Sequence, residues 1–255
     1  MSAPTPLLSL IIPAYNEGER LPTTLPSVFE FLEAQPYSFE IIIVNNNSKD
    51  NTGEIAREFA ATRPYLHVID EMTQGKGAAV RTGMLAAKGE YLFMADADFS
   101  MPVEEIAKFL PPRSGEYDVA IGSREAPGAV RYNEPHYRHF MGRVFNLYVK
   151  VLAIPGFEDT QCGFKCFRRH VAIDILPNQT IDGWAFDVEL LFIALRRGYR
   201  IIEVPVHWYY GQNSRVSPVR DTVNMIREVL RIRYNGWAGR YDRRTEPDPA
   251  LHKTR

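Results

Sequence analysis

The sequence alternates short apolar runs with segments of helical periodicity, and this alternation limits the chain to few architectures. Five apolar runs occupy residues 7–12, 39–44, 66–69, 91–95 and 119–121, and helical patterns follow at 17–34, 52–62, 77–88 and 103–110. Runs without polar alternation are typical of strands buried on both faces. Strands that alternate with helices predict an α/β fold with a mostly parallel central sheet flanked by helices.

The second half of the chain is less regular. It predicts helices at 137–154, 186–197 and 217–234, a strand at 164–167 and an extended segment at 200–208. Because Pro205 cannot donate a ladder hydrogen bond, we expect the extended segment at the edge of a sheet. From Gly239 onward the chain is polar and contains Pro247 and Pro249, so residues 239–255 are expected to be a disordered tail.

The charge balance and the cysteine count argue against several classes of protein. Lys and Arg total 30 and Asp and Glu total 31, for a net charge of -1, whereas a general nucleic-acid binder would carry a basic field. The two cysteines are too few for a disulfide framework, which favours a reducing compartment. No apolar run approaches the roughly 18 residues of a membrane span. The sequence therefore predicts a cytoplasmic protein with no nucleic-acid partner.

Asp96 and Asp98 come at the end of the fourth apolar run and are the strongest chemical signal. Residues two apart on an extended chain point the same way, and two carboxylates so placed repel each other unless a cation lies near them. Oxygen ligands suit Mg²⁺ or Mn²⁺, which keep coordination sites open for phosphates. Ligands bind beyond the carboxyl ends of strands in such sheets, which favours a metal site over a solvated turn or a helix cap before Pro102.

Polar residues also follow the first two runs. Tyr15 could cover a base or a ribose and Glu17 could bond to either; the alternative is an ordinary strand-to-helix turn with Asn16 as its cap. The segment Asn-Asn-Asn-Ser at 45–48 could present polar side chains to the edge of a base. It could equally cap the helix expected from Thr52.

Three basic residues are candidates for contact with phosphate. Lys76 stands in a Gly-Lys-Gly segment that opens a helix, but the Ser or Thr and the earlier glycine of a phosphate loop are absent. Arg81 lies five residues further along the same helix. Arg124 follows the fifth apolar run and could donate two hydrogen bonds to a phosphate. The alternative for all three is an exposed basic side chain.

These groups occur in the order found in family 2 glycosyltransferases of the GT-A fold, and the sequence resembles that family. The segments that carry the resemblance lie at 13–17, 45–48, 75–77, 96–98 and 122–124. Downstream, residues 159–165, 183–190 and 203–208 resemble the branch that glucosylates dolichyl or other polyprenyl phosphates. The resemblance covers residues 8–233 and implies one GT-A domain over residues 1–238. Its nucleotide-binding half would span about 7–125 and its acceptor half about 126–238.

The resemblance also implies a role for each group. The nucleotide-sugar pocket would be lined by Pro13, Tyr15, Glu17, Asn46, Lys76 and Asp96. A Mg²⁺ or Mn²⁺ ion would be held by Asp98, Asp96 and Ser100. The acceptor phosphate would meet Arg124, with Arg138 or Arg143. The catalytic residues would be Asp159, Arg124 and Asp98, with Asp159 at a position sometimes proposed as a base.

The implied reaction is attack by a lipid phosphate oxygen on the anomeric carbon of a nucleotide sugar, in a single displacement that inverts the anomeric centre. An anionic acceptor needs no strong general base. Asp159 is therefore a positioning group, a base for a neutral hydroxyl acceptor, or a buried structural carboxylate. Within the family the alternatives are another donor such as GDP-mannose, or a hydroxyl acceptor.

Two alternatives come from other classes of protein. A nucleotidyltransferase also joins an acidic pair to a nucleotide, but its usual glycine-rich signature is missing after the first strand, where Pro13, Ala14, Tyr15 and Asn16 stand. A non-catalytic binding module on a retained fold is the other alternative. The presence of Asp98 argues against it.

The nucleoside loop departs from the usual family pattern, which has Asp-Asp where this chain has Asn45 and Asn46. Adjacent N–H donors of guanine suit a carboxylate, whereas an amide matches the N–H and the carbonyl of uracil. Asn46 therefore favours UDP, and UDP-glucose is the expected donor.

The last predicted helix, residues 217–234, together with the residues that follow it up to 237, is a candidate for membrane contact. Its apolar stripe consists of Val219, Val223, Ile226 and Leu230, its basic face of Arg220, Arg227 and Arg231, and Trp237 follows. A basic amphipathic helix with an interfacial aromatic residue can lie on an anionic bilayer, which predicts peripheral contact with the cytoplasmic membrane face. The alternative is that the stripe packs on the domain core and the arginines are solvated.

Overall fold

The computed structural model of the protein describes residues 5–211 and 220–242. Within them the strands, in chain order, are β1 (Leu8–Ala14), β2 (Phe39–Asn45), β3 (Leu66–Asp70), β4 (Tyr91–Met94), β5 (Val119–Ser123), β6 (Val130–Tyr132), β7 (Lys165–Arg168), β8 (Ile201–Pro205) and β9 (His207–Tyr209). The α-helices are α1 (Leu21–Glu33), α2 (Thr52–Ala61), α3 (Lys76–Ala86), α4 (His136–Leu152), α5 (Arg169–Ile175), α6 (Phe186–Arg196) and α7 (Arg220–Trp237). Short 3₁₀ helices occupy Val103–Lys108 and Leu176–Asn178.

Seven strands form the central sheet in the order β3-β2-β1-β4-β7-β5-β8. All neighbouring pairs are parallel except the two that involve β7, which runs antiparallel to β4 and β5. A separate parallel pair joins β6 to β9. The mostly parallel α/β sheet predicted from the alternation is therefore confirmed.

The inner strands β1, β2, β4 and β5 bury both of their faces, as their unbroken apolar runs predict, whereas the edge strand β3 is partly exposed. Leu10 and Ile12 of β1 belong to the core layer that includes α1, α2 and the 3₁₀ helix at Val103–Lys108. The intervening Ile11 belongs to the opposite layer, which includes α3, α5, α6 and α7. Side chains two apart on a strand share a face, so one apolar run serves two cores.

Several predicted elements differ from the observed ones. The helix expected from residue 17 begins at Leu21, because residues 15–20 form a turn in which the Glu17 carbonyl accepts the Arg20 and Leu21 N–H groups. The segment at 103–110 is a 3₁₀ rather than an α-helix. The extended segment at 200–208 divides into β8 and β9, and β8 is an edge strand, as Pro205 predicted. Helix α5 and strand β6 were not predicted.

The predicted start of the disordered tail, at residue 239, lies too early in the chain. Tyr241 is fully buried, and its hydroxyl donates to Glu189 Oε1 at 2.6 Å while accepting from Asn235 Nδ2 at 3.2 Å. The domain therefore extends at least to Asp242, since a large aromatic side chain fills the core there. The remainder of the expected tail, residues 243–255, lies outside the described residues.

Helix α7 packs on the core through a different face from the predicted stripe. Met225, Val229 and Ile232 are buried, at a spacing of four and three residues, while Val223 and Leu230 of the predicted stripe are exposed. The predicted members Val219 and the side chain of Arg220 lie outside what the structure describes. None of the helices in the described part of the chain is long and apolar enough to cross a membrane.

Candidate active site

The polar groups singled out in the sequence meet at one edge of the central sheet. β1, β2, β4 and β5 run in the same direction, because β4 and β5 are both antiparallel to β7, so the segments that follow their carboxyl ends lie on the same edge. Because β7 is antiparallel, its amino end reaches this edge too, and Lys165 pairs in register with both Met94 and Ile121. This brings residues 162–165 beside Asp96.

The turns after β1 and β2 are joined by hydrogen bonds. Asn16, which has a φ of 53°, donates its backbone N–H to Ser48 Oγ at 3.0 Å, and its Oδ1 accepts the Lys49 N–H at 2.7 Å. The backbone N–H of Glu17 donates to Thr52 Oγ1 at 2.7 Å. These bonds join the turn after β1 to the turn after β2, and together the two turns form the rim of the site.

The predicted nucleoside residues on this rim differ in accessibility. Pro13 and Tyr15 are half-buried and present part of their surface. Glu17 is buried, and its Oε2 pairs with Arg20 Nη1 at 2.8 Å. Pro13 and Tyr15 are thus open to a ligand, whereas the Glu17 carboxylate is held by an arginine of its own turn.

Asn46 has another role from the one expected. Its side chain is buried; Nδ2 donates to the carbonyls of Glu71 and Thr73 at 3.3 and 2.7 Å, and Oδ1 accepts the Gly75 N–H at 2.8 Å. With its donor and its acceptor committed to the backbone, the amide shapes the segment that leads to Lys76 and does not present itself to a base. The argument for uracil from this side chain is therefore wrong.

Lys76 and Asp96 form an ion pair, with 2.5 Å between Nζ and Oδ1. Burial alone would lower the pKa of Lys76, but the charges of Asp96, Asp187 and Asp98 outweigh it and hold the pKa above its usual value. Burial likewise acts to raise the pKa of Asp96, and Lys76 and other nearby cations hold it below its usual value. Both groups are therefore charged near neutral pH.

Two neighbouring residues complete the surroundings of this pair. The ammonium of Lys76 lies 5.6 Å from the centroid of the Trp184 ring, within cation–π range. A β-carbon on Gly163 would overlap Asp96 Oδ2, so a larger residue there would require the carboxylate to move from its position beside Lys76. Sequence reasoning missed both residues as parts of the site.

Asp98 is the carboxylate best placed for a metal ion. It is exposed, and its Oδ1 accepts the Ser100 N–H at 3.0 Å. In the part of the chain that the structure describes, no cluster of three His, Cys, Asp or Glu side chains could hold an ion unaided. Asp98 with Ser100 nearby therefore fits a hard cation that takes few protein ligands and binds phosphate oxygens. The Asp96 carboxylate is already neutralised by Lys76.

Arg124 and Asp159 form a second, two-point ion pair. Arg124 Nε donates to Asp159 Oδ2 at 2.7 Å and Nη2 donates to Oδ1 at 3.0 Å. The backbone N–H of Arg124 also donates to Oδ2 at 3.0 Å. Glu203 holds the segment in turn, because its Oε1 accepts the N–H groups of Glu158 and Asp159, each at 3.0 Å.

This environment makes Asp159 a poor base. Burial acts to raise the pKa of Asp159, but the Arg124 charge and its hydrogen bonds outweigh burial and lower the pKa to about 2. A carboxylate with so low a pKa, with both oxygens already accepting hydrogen bonds, has little tendency to take a proton. Of the three roles open for Asp159, the geometry favours positioning of Arg124.

The other two expected phosphate ligands lie on α4. The guanidinium of Arg138 stands 5.2 Å from the centroid of the Tyr210 ring. Arg143 Nη1 lies 3.5 Å from Glu125 Oε2 and 3.4 Å from Glu158 Oε2. Arg143 is thus tied to the chain neighbours of both Arg124 and Asp159.

A buried ion pair beneath the site was also missed. Lys165 Nζ donates to Asp187 Oδ2 at 3.1 Å and to the Cys162 carbonyl at 2.6 Å, and both charged side chains are buried. A lysine inside a run predicted to be a buried strand was a usable signal, since a buried charge needs a partner. The partner on α6 could not be found from local sequence.

Comparison with known proteins shows the family to which the chain belongs. Residues 9–176 match the model of the family described as Glycosyl transferase family 2. The dolichyl-phosphate beta-glucosyltransferase of Dictyostelium discoideum is 33% identical over 243 residues, covering 89% of this chain and 74% of that protein. The enzyme of the same name from Mus musculus is 33% identical over 248 residues, covering 91% of this chain and 76% of that protein.

Solved structures show the same fold. Glucosyl-3-phosphoglycerate synthase from Mycobacterium tuberculosis, in complex with Mn²⁺, UDP-glucose and phosphoglyceric acid, superposes with a TM-score of 0.66 over 93% of this chain and 80% of that one, at 15% identity. Mannosyl-3-phosphoglycerate synthase from Rubrobacter xylanophilus gives a TM-score of 0.67 at 18% identity over 95% of this chain and 78% of that one. These likenesses show the GT-A fold.

Proposed function

The chain belongs to glycosyl transferase family 2, and from that membership we propose that it is an inverting glucosyltransferase that moves glucose from UDP-glucose to dolichyl or another polyprenyl phosphate. The names of the relatives, at 33% identity over most of the chain, support the sugar and the acceptor. The structural observation that carries the proposal is a pair of cations, Lys76 and Arg124, at one sheet edge, each fixed by its own carboxylate. One suits the donor diphosphate and the other the acceptor phosphate.

On the donor side, Lys76 is the proposed counter-charge for the diphosphate. Its raised pKa keeps it protonated, and the Asp96 carboxylate orients its ammonium group. Pro13 and Tyr15 are the proposed contacts of the nucleoside. The choice of UDP is supported by the fold likeness to a structure that holds UDP-glucose and no longer by the Asn46 amide.

On the acceptor side, Arg124 is the proposed ligand of the lipid phosphate. A phosphate oxygen forms a bond to C1 of glucose while the bond from C1 to the diphosphate oxygen breaks, and its electron pair leaves with UDP. No proton has to be removed, because the attacking oxygen is already anionic. This agrees with an Asp159 that orients Arg124 and is too weakly basic to take a proton.

The proposed cofactor is Mg²⁺ or Mn²⁺, with Asp98 as its protein ligand and Asp96 and Ser100 beside it. When bound, such an ion neutralises charge on a departing diphosphate. The proposed place of action is a membrane surface, because the acceptor is a lipid, and its cytoplasmic face, because the low cysteine count favours a reducing compartment.

The test is release of nucleoside diphosphate from UDP-glucose and from GDP-mannose, each with and without dolichyl phosphate. The proposal predicts UDP release that depends on the lipid phosphate and on a divalent ion. Release of pyrophosphate instead would indicate a nucleotidyltransferase, and lipid-dependent release of GDP alone would indicate a mannosyl donor. Binding of nucleotide sugar without any release would indicate a non-catalytic module.

A further inference from the structure

Helix α4 carries an apolar face that no other segment within residues 5–211 and 220–242 covers. Its members are between 46% and 74% exposed and are Tyr137, Phe140, Met141, Val144, Leu147 and Val151. Apart from the adjacent Phe140 and Met141, they are spaced by three or four residues, which places them on one side of the helix. Val149 is buried, and Phe145, Tyr148 and Leu152 pack against the core, so the helix is anchored by the side that adjoins the exposed face.

The charges of α4 are all of one sign. The helix contains Arg138, Arg143 and Lys150, together with His136 and His139, and has no Asp or Glu. At about 100° per residue, Arg143 and Lys150 fall beside the exposed apolar face. Arg143 and Lys150 are paired with Glu125 and Glu158, so the three Arg and Lys side chains of α4 exceed these two carboxylates by one charge. An apolar face that carries aromatic residues and keeps this net positive border suits insertion at the surface of an anionic bilayer.

The basic side of α4 is tied to the proposed acceptor site. His139 Nε2 lies 2.9 Å from Glu125 Oε1, and Lys150 Nζ lies 2.8 Å from Glu158 Oε1. Arg143 lies within 3.5 Å of both glutamates. Glu125 and Glu158 are the chain neighbours of Arg124 and Asp159, so α4 and the two-point ion pair are held as one unit.

We propose that the exposed apolar face of α4 docks this protein on an anionic lipid bilayer, with the ion pairs to Glu125 and Glu158 holding Arg124 at the level of the lipid phosphates. The proposal rests on the proposed function for its lipid acceptor. It assigns the docking surface to α4, in contrast to the helix at 217–237 expected from the sequence.

The experiment is co-sedimentation with vesicles of phosphatidylcholine and phosphatidylserine. Phe140→Ser combined with Leu147→Ser removes two exposed side chains of the face and is expected to weaken vesicle binding about tenfold or more. The matched control is Val223→Ser combined with Leu230→Ser, which removes two exposed apolar side chains from α7 and is expected to stay within about twofold of the unsubstituted protein. Melting temperature and UDP binding should be unchanged in both variants, which checks their folding.

Three outcomes would overturn the proposal: no vesicle binding by the unsubstituted protein, equal binding by the α4 variant, or loss of binding only in the α7 variant. A dimer in sedimentation velocity that dissociates in the α4 variant would also overturn it, by assigning the face to a second copy of the chain.

Turnover with a short, water-soluble polyprenyl phosphate distinguishes failure of the docking proposal from failure of the proposed function. The α4 variant should retain that turnover while losing turnover of vesicle-bound acceptor. Vesicle binding in a protein that turns over neither acceptor would refute the proposed function alone.

Discussion

The guanidinium of Arg124 donates two hydrogen bonds to the carboxylate of Asp159, from Nε to Oδ2 at 2.7 Å and from Nη2 to Oδ1 at 3.0 Å. Nη1 of Arg124 has no hydrogen bond to any residue within 5–211 or 220–242. The arginine is therefore fixed in direction while one of its nitrogens can still meet a phosphate. A carboxylate in this arrangement acts through the arginine that it orients.

Asp159→Asn should lower kcat/KM for the lipid phosphate by about 10- to 100-fold, because loss of one charge-assisted contact and the fixed direction of Arg124 costs about 1.5–3 kcal/mol. The pH profile between 5 and 8 should keep its shape, since a carboxyl with a pKa of about 2 does not titrate there. Steady-state kinetics over that pH range measures both. A basic limb that disappears in the variant would show that Asp159 is a general base.

The same pair predicts the acid stability of the protein. The pKa of Asp159 in the folded state is about 2, below its ordinary value of 3.8. A carboxyl group whose pKa is lower in the folded than in the unfolded state stabilises the fold at pH values above its unfolded-state pKa. This stabilisation is lost as the pH falls through the folded-state pKa. The difference corresponds to about 2 kcal/mol. In urea unfolding, the excess stability of the unsubstituted protein over Asp159→Asn should therefore shrink between about pH 4 and pH 2. A difference independent of pH would contradict this.

Gly163→Ala should weaken UDP binding at least about tenfold, since the added methyl group overlaps the Asp96 carboxylate and forces it away from Lys76. Gly115→Ala is the matched control, because a β-carbon at Gly115 meets no atom within 4 Å. Calorimetric titration with UDP and Mn²⁺ compares the two. Equal affinities would show that the contact between Gly163 and Asp96 is irrelevant to the donor site.

Asn46→Asp tests the structural role of the buried amide. The introduced carboxylate would face the carbonyls of Glu71 and Thr73 without a hydrogen to donate, which costs about 1–3 kcal/mol. Because those carbonyls disfavour the charged form, the folded pKa of the new group is raised. The loss of stability should therefore be small near pH 4 and grow as pH rises. Thermal unfolding at several pH values measures it, and an equal or greater stability near pH 7 would refute the role.

Asp98→Ala should abolish turnover that depends on a divalent ion, with a loss of several kcal/mol in transition-state stabilisation. Binding of Mn²⁺ in the presence of UDP, followed by electron paramagnetic resonance, should be lost as well. Activity within about tenfold of the unsubstituted protein, or about 1.4 kcal/mol, would contradict the metal assignment.

Features fixed by local pattern were predictable from the sequence. The unbroken apolar runs located β1 to β5, and the rule that ligands bind beyond the carboxyl ends of strands brought Asp96, Lys76 and Arg124 to one edge. Helix α5 was missed because it follows β7 directly, without a glycine or proline to mark the boundary. Its buried Val171, Ala172 and Ile175 still fit helical spacing.

Features that depend on contacts between distant segments were not predictable. The expected role of Asn46 assumed a free amide, and only the fold shows that the segment from Glu71 to Gly75 occupies it. The expected stripe on α7 followed helical spacing correctly but chose the wrong face, since Met225 and Val229 set the packing. Tyr241 was assigned to a tail because a polar segment gives no sign of the single aromatic that anchors it.

The structure of the product tests the central claim most directly. UDP-α-glucose and dolichyl phosphate, incubated with the protein and Mg²⁺ or Mn²⁺, should yield UDP and an equal amount of a glucosyl lipid. Proton NMR of the purified lipid should show glucose joined through its anomeric carbon to the phosphate, in the β configuration that a single displacement requires. An α-linked product, or glucose joined to a hydroxyl group with the lipid phosphate unused, would contradict inverting transfer to a lipid phosphate.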